Sequence, residues 1–194
     1  MTSTRLLGLA ASIFLALVSN AMAALSTAFT VSGGVTTPAT YDQAALAALP
    51  STTRTVTYLA GKRSVTSTFT GVLLTDILDR ATVKTNPGIK SEILSRYVTA
   101  TGSDGYKAVF SLGELLTDFG NAGVLVAYRQ DGHDLGDAGF ARLVVPGDTK
   151  GGRYVSNLVD INVASAIVTP LPGGFLVLAS GLPGLLFLRR HAGG

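Results

Sequence analysis

Thr53-Arg54-Thr55-Val56-Thr57-Tyr58-Leu59 runs through Ala60-Gly61-Lys62-Arg63 into Ser64-Val65-Thr66-Ser67-Thr68-Phe69. In the first run threonine and arginine alternate with valine and tyrosine, the period of a strand with one face buried. The glycine-bearing step at 60–63 separates it from a second run of strand-forming residues, so the segment predicts a β-hairpin. An isolated hairpin is marginal in water and needs further strands or a helix over its apolar face. The fold is therefore decided by what the flanking sequence brings to that face.

Upstream, Ala28-Phe29-Thr30-Val31 reads as a strand. Thr40 reads as a helix N-cap with Gln43 three residues on, predicting a short helix over Tyr41–Leu49 that Pro50 ends. Downstream, Leu74, Ile77 and Leu78 share one face of a helix over Leu73–Ala81. Ile93–Ala100 reads as a strand, Ser103-Asp104-Gly105 as a turn, and Ser111–Phe119 as a second amphipathic helix stopped by Gly120. Gly123–Tyr128, Arg142–Val145 and Leu158–Ala166 read as strands, with a turn at Asp131-Gly132. Short strands with two or three short helices and no internal linker predict one α+β domain with a β-rich core over residues 24–167.

The chain of 194 residues is 47% hydrophobic and 14% charged, where about 25% charged is usual for a soluble domain. Two long apolar ends account for much of the difference. Arg5, Arg189 and Arg190 supply the net charge of +3, so the middle is balanced. A pI of about 9.3 without a clustered basic face excludes nucleic acid as the expected partner. The sequence holds no cysteine, which excludes disulfides, iron–sulfur clusters, thiolate-bound metals and a thiol nucleophile.

Residues 1–23 read as a secretory signal peptide. Arg5 precedes an apolar run from Leu6 to Val18, and Ala21-Met22-Ala23 has the small-x-small form of a cleavage site. In 168–194, Val168-Thr169-Pro170-Leu171-Pro172 precedes the apolar stretch Gly173–Leu188 and the basic Arg189-Arg190-His191. This layout resembles the PEP-CTERM sorting signal, with Thr-Pro-Leu-Pro where that signal has Val-Pro-Glu-Pro. The resemblance implies a hydrophobic C-terminal helix, cleavage by an exosortase, and a protein in the periplasm, on the membrane or at the cell surface.

Several pieces in the middle carry a further resemblance. They are Phe69-Thr70-Gly71-Val72-Leu73-Leu74, Ser103-Asp104-Gly105-Tyr106, Ala141-Arg142-Leu143-Val144-Val145-Pro146-Gly147 and Gly152-Arg153-Tyr154-Val155. Their order over residues 40–165 resembles the molybdopterin-binding domain of sulfite-oxidase-like oxidoreductases. The resemblance implies that domain's fold and a molybdopterin cofactor. Arg142 and Arg153 have the guanidinium fork that grips a phosphate in two places. Gly147, Gly151 and Gly152 allow backbone amides near an anion. These five are the candidate cofactor-binding residues, set against a reading in which Arg142 opens a strand, the glycines make turns and Arg153 is solvated. In the family a cysteine thiolate holds the molybdenum, and none exists here. Where the family carries a lysine near the pterin, this chain has Ser156. No catalytic residue and no metal ligand is assigned.

Asp131-Gly132-His133-Asp134-Leu135-Gly136-Asp137 is rich in oxygen ligands, but a hairpin turn accounts for it. Asp104 and Tyr106 read as a turn with a tyrosine packed beside it. The expectation is an exported module, non-catalytic, that binds a ligand or a protein partner. Its alternatives are an oxidoreductase holding a molybdopterin-type cofactor without a thiolate, and a structural component of exported polysaccharide or biofilm.

Overall fold

The computed structural model describes residues 24–166; the signal-peptide and C-terminal tail readings lie outside the described residues. The hairpin forms as expected. Strand β3 (Thr52–Ala60) pairs with β4 (Arg63–Leu73) over its whole length; β1 (Ala28–Gly33) and β2 (Ala39–Asp42) precede them, with helix α1 (Gln43–Ala47) between β2 and β3. Hydroxyls of Thr53 and Thr70, Thr55 and Thr68, and Thr57 and Thr66 meet across the hairpin at 3.0, 2.9 and 2.8 Å, so each cross-strand pair adds to the ladder. The opposite face buries Val56, Tyr58 and Phe69.

The chain continues as α2 (Leu74–Ala81), β5 (Arg96–Gly102), β6 (Lys107–Ser111), α3 (Leu112–Leu115), β7 (Leu125–Gln130), β8 (His133–Asp134), β9 (Arg142–Val144) and β10 (Leu158–Ser165). One sheet has the order β2-β1-β10-β5-β6; the other runs β3-β4-β7-β8, with β9 also paired to β7. Among the described strands every pairing is antiparallel except β1 with β10, and an isolated parallel bridge joins Leu59 to Lys150. Side chains from both sheets enter one core, with Phe29, Phe69, Phe110, Leu125 and Ile161 fully buried. Helix α2 covers part of it with Leu74, Ile77, Leu78 and Ala81. The mixed, sheet-rich architecture agrees with the expected fold class.

Three expected elements differ. Thr40 is no N-cap: it lies in β2, and Asp42 caps α1 by accepting from the Ala45 amide at 2.8 Å. Tyr41 stays extended because it pairs with Phe29 and their rings stack at 5.3 Å. The strand expected at Ile93 begins only at Arg96. Before it lies a 3₁₀ turn, Glu92–Ser95, entered through Ser91 in the left-handed region and held by an Arg96–Glu92 ion pair at 2.8 Å. The helix expected over Ser111–Phe119 spans a single turn. Ser111 caps it, but Leu116 is extended and the Gly120 and Ala122 amides donate back to Gly113 and Glu114 carbonyls. Strand β6, with Ala108 and Phe110 inward and Val109 outward, had no counterpart in the expected elements.

Among the described residues no helix is long and apolar enough to cross a membrane.

Candidate functional site

Arg142 is the first residue of β9, and its register opposite Ala127 sets it over the hairpin. Its guanidinium carbon stands 5.8 Å from the ring centre of Phe69 and 5.5 Å from that of Tyr154. Such contacts are worth about 0.5–2 kcal/mol, more as water is excluded. Tyr154 packs in turn on Tyr58 of β3, ring centres 4.6 Å apart. Arg142 Nε and Tyr154 Oη are both buried without a hydrogen-bond partner. A buried polar atom left so costs about 1–3 kcal/mol, and these two belong to adjoining side chains.

A depression of about 460 Å³ opens in front of Arg142, with Tyr58, Lys150, Gly151 and Gly152 in its walls. A second, of about 250 Å³, lies across Gly151 and Gly152 and is lined by Asp104, Tyr106, Tyr154 and Ser156. The ridge between them is the 3₁₀ turn Gly151–Arg153. Tyr106 Oη donates to the Gly152 carbonyl, and Asp104 Oδ1 accepts from the Tyr106 amide at 2.9 Å. The Asp104 turn thus forms as expected and ends on the ridge.

Of the five candidate residues, Arg142, Gly151 and Gly152 come together. Gly151 is needed for packing, since a Cβ there would lie 2.8 Å from Tyr58 Cδ2; a Cβ at Gly152 would meet nothing within 4 Å. Gly147 (φ +88°) lines neither depression. It turns the chain so that Asp148 reaches Arg153.

Arg153 is partly exposed, but its guanidinium is not free. Its Nε and Nη2 donate to Asp148 at 2.9 and 2.7 Å, and Nη1 donates to Glu114 of α3 at 2.6 Å. The guanidinium lies 5.0 Å from the Phe110 ring centre. The two-pronged grip expected of Arg153 exists, but on Asp148. That carboxylate, with Glu114, raises the Arg153 pKa against the opposing effect of burial. Arg153→Met is expected to lower stability by about 1–2 kcal/mol, from lost charge-assisted hydrogen bonds discounted for partial exposure. Urea unfolding midpoints check this; Glu114→Gln is expected to lose less, since the Asp148 fork remains.

Burial, first, and then the charges of Tyr58 and Asp148 push the Tyr154 phenol up to about 12, Arg142 pulling the other way. Between the unfolded value near 10 and that folded value, the unfolded chain releases a proton that the folded chain keeps. The Tyr154 phenol therefore costs the fold nothing by ionisation below pH 10, and stability falls as pH rises from there through the folded value. Tyr154→Phe is expected to flatten the decline of the melting temperature between pH 10 and 12. At neutral pH it removes an orphaned hydroxyl and should gain about 1 kcal/mol.

Tyr58, Lys150, Tyr106 and Tyr154 were not among the candidates. The alternation of β3 marks Tyr58 only as buried, and nothing local marks Lys150. In the Asp131–Asp137 loop, Asp131 Oδ1 accepts from the Thr68 amide at 2.8 Å, and Asp131 and Gly132 take positive φ, as a tight hairpin requires. Among the described residues no three His, Asp or Glu side chains group as metal ligands.

The groove is lined by Arg142 and Lys150 and backed by the rings of Phe69, Tyr58 and Tyr154, so its chemistry suits a group with acceptor atoms. A molybdenum-bearing pterin does not fit it. No cysteine exists to bind the metal, Arg153 is taken by two carboxylates, and Ser156 offers no charge.

Two sheets on one core, with this groove beside β9, define a mixed, β-rich domain. The sequence profile of the oxidoreductase molybdopterin binding domain matches residues 18–167. The chain belongs to that family. Among solved structures it is similar to the sulfane dehydrogenase SoxCD from Paracoccus pantotrophus, with 22% identity and a TM-score of 0.58 over 73% of this chain. That likeness shows the fold, and the match spans 39% of the other chain. No curated protein matches.

Proposed function

We propose that this chain is an exported envelope protein whose molybdopterin-family domain binds an anionic ligand or partner group and performs no molybdenum chemistry. The observation that carries this is the pair of orphaned buried atoms, Arg142 Nε and Tyr154 Oη, behind a groove that also presents Lys150. The leader and the PEP-CTERM-like tail support export and retention at the membrane, with an exosortase as the processing partner.

The reading is tested on protein from its native host by elemental analysis for molybdenum, pterin fluorescence after oxidation, and calorimetric titration with inorganic phosphate and sulfate. The expected result is neither metal nor pterin in stoichiometric amount, and one saturable anion site that weakens as salt rises. Stoichiometric molybdenum and pterin would overturn it in favour of an oxidoreductase with a thiolate-free centre.

A further inference from the structure

The last described residue lies at a corner of the domain with unusual surface chemistry. The Ala166 amide donates to the Ser95 carbonyl at 3.0 Å, and Ser165 ends β10 opposite Arg96. The chain therefore leaves the domain beside the 3₁₀ turn Glu92–Ser95. Leu94 of that turn is 40% exposed, and Ile89, just before it, is 55% exposed. Single exposed apolar side chains are common; here two share the corner from which an apolar tail departs.

The segment bearing Ile89 is held from within. Asn86 Oδ1 accepts from the Gly88 amide at 2.9 Å, and the Asn86 carbonyl accepts from the Ile89 amide at 3.0 Å. Glu92 Oε2 accepts from the Asn86 amide at 3.2 Å, tying the segment to the turn. The exposure of Ile89 thus belongs to a closed knuckle. Its one acid, Glu92, is matched by both Nε and Nη2 of Arg96. Lys84 and Lys90 are exposed and make no ion pair among the described residues. The corner therefore carries two apolar side chains and uncompensated positive charge.

Tail length adds a constraint. Only residues 167–172 separate Ala166 from the apolar stretch Gly173–Leu188. Fully extended, so short a connection reaches about 20 Å. If the stretch enters a bilayer, the Ser95 corner cannot stand far from the headgroups.

We infer that this corner lies on an anionic lipid surface, with Ile89 and Leu94 entering the interface and Lys84 and Lys90 set over the headgroups. The inference rests on the proposal that the tail is held in a membrane, and adds a second contact made by the folded domain.

The absence of cysteine makes the test direct. Full-length chains carrying Ile89→Cys, Leu94→Cys or, on the other sheet, the exposed Thr55→Cys are labelled with an environment-sensitive fluorophore. They are reconstituted into vesicles of phosphatidylglycerol and phosphatidylcholine. The expected result is a blue shift, with quenching by spin-labelled lipid, at positions 89 and 94 and not at 55. Lys84→Glu with Lys90→Glu should reduce both signals. If the chain fails to float with the vesicles, the anchoring proposal fails and takes this inference with it. If it floats while positions 89 and 94 are quenched no more than 55, this inference alone is overturned.

Discussion

Replacing Phe69 by alanine is expected to lower the stability of the domain by about 3–5 kcal/mol, a large share of the roughly 5–15 kcal/mol that holds most domains folded. Phe69 is fully buried near the middle of β4, and its ring lies under the Arg142 guanidinium. The change opens a cavity in the core and removes one of the two rings that hold Arg142. Phe69→Leu keeps most of the volume and should lose under about 1.5 kcal/mol. Chemical denaturation of both variants, at matched m-values, tests the point. A loss below 1 kcal/mol for alanine would mean that the core is not packed around this ring.

Arg142→Leu should separate binding from folding. Anion affinity is expected to fall by about 10–100-fold, equivalent to the 1.5–3 kcal/mol of a charge-assisted hydrogen bond. Stability should hold or rise slightly, because the leucine buries no orphaned nitrogen. Arg142→Lys is expected to recover little binding, since an ammonium cannot reproduce a planar fork between two rings. Calorimetric titration beside thermal melts reads both quantities. Lost stability with unchanged anion binding would assign Arg142 to the scaffold alone.

How much of this was legible in the sequence depended on how local each cause is. The β3–β4 hairpin and the buried face of α2 follow from neighbouring residues, and both formed as expected. Thr40 misled because a capping pattern competed with a strand pairing that depends on Phe29, eleven residues away. The second helix stopped early because the Gly120 and Ala122 amides turn back to Gly113 and Glu114, which periodicity does not report. Arg142, Gly151 and Gly152, named from their motifs, line one depression. The partners that decide the roles of such residues were not legible in those motifs, because Tyr58 reaches Gly151 and Glu114 reaches Arg153 from distant parts of the chain. Arg153 shows the limit best: its type and place suit a phosphate grip, and only the fold reveals the two carboxylates that occupy it.

The parallel pairing of β1 with β10 bears on how the molecule is made. Thr30 lies opposite Asp160 and Gly33 opposite Val163, at the centre of their sheet. If the chain is exported as proposed, its first strand cannot find this partner until nearly the whole domain has left the pore. Contacts so distant along the chain close slowly, because the entropy of a long loop is lost before any pairing compensates it. An exported chain would therefore wait with β1 and β2 unsupported on one side, exposed to proteases and to other chains. A tail that halts in the membrane just after β10 would hold the closing strand beside the pore at the moment the sheet completes.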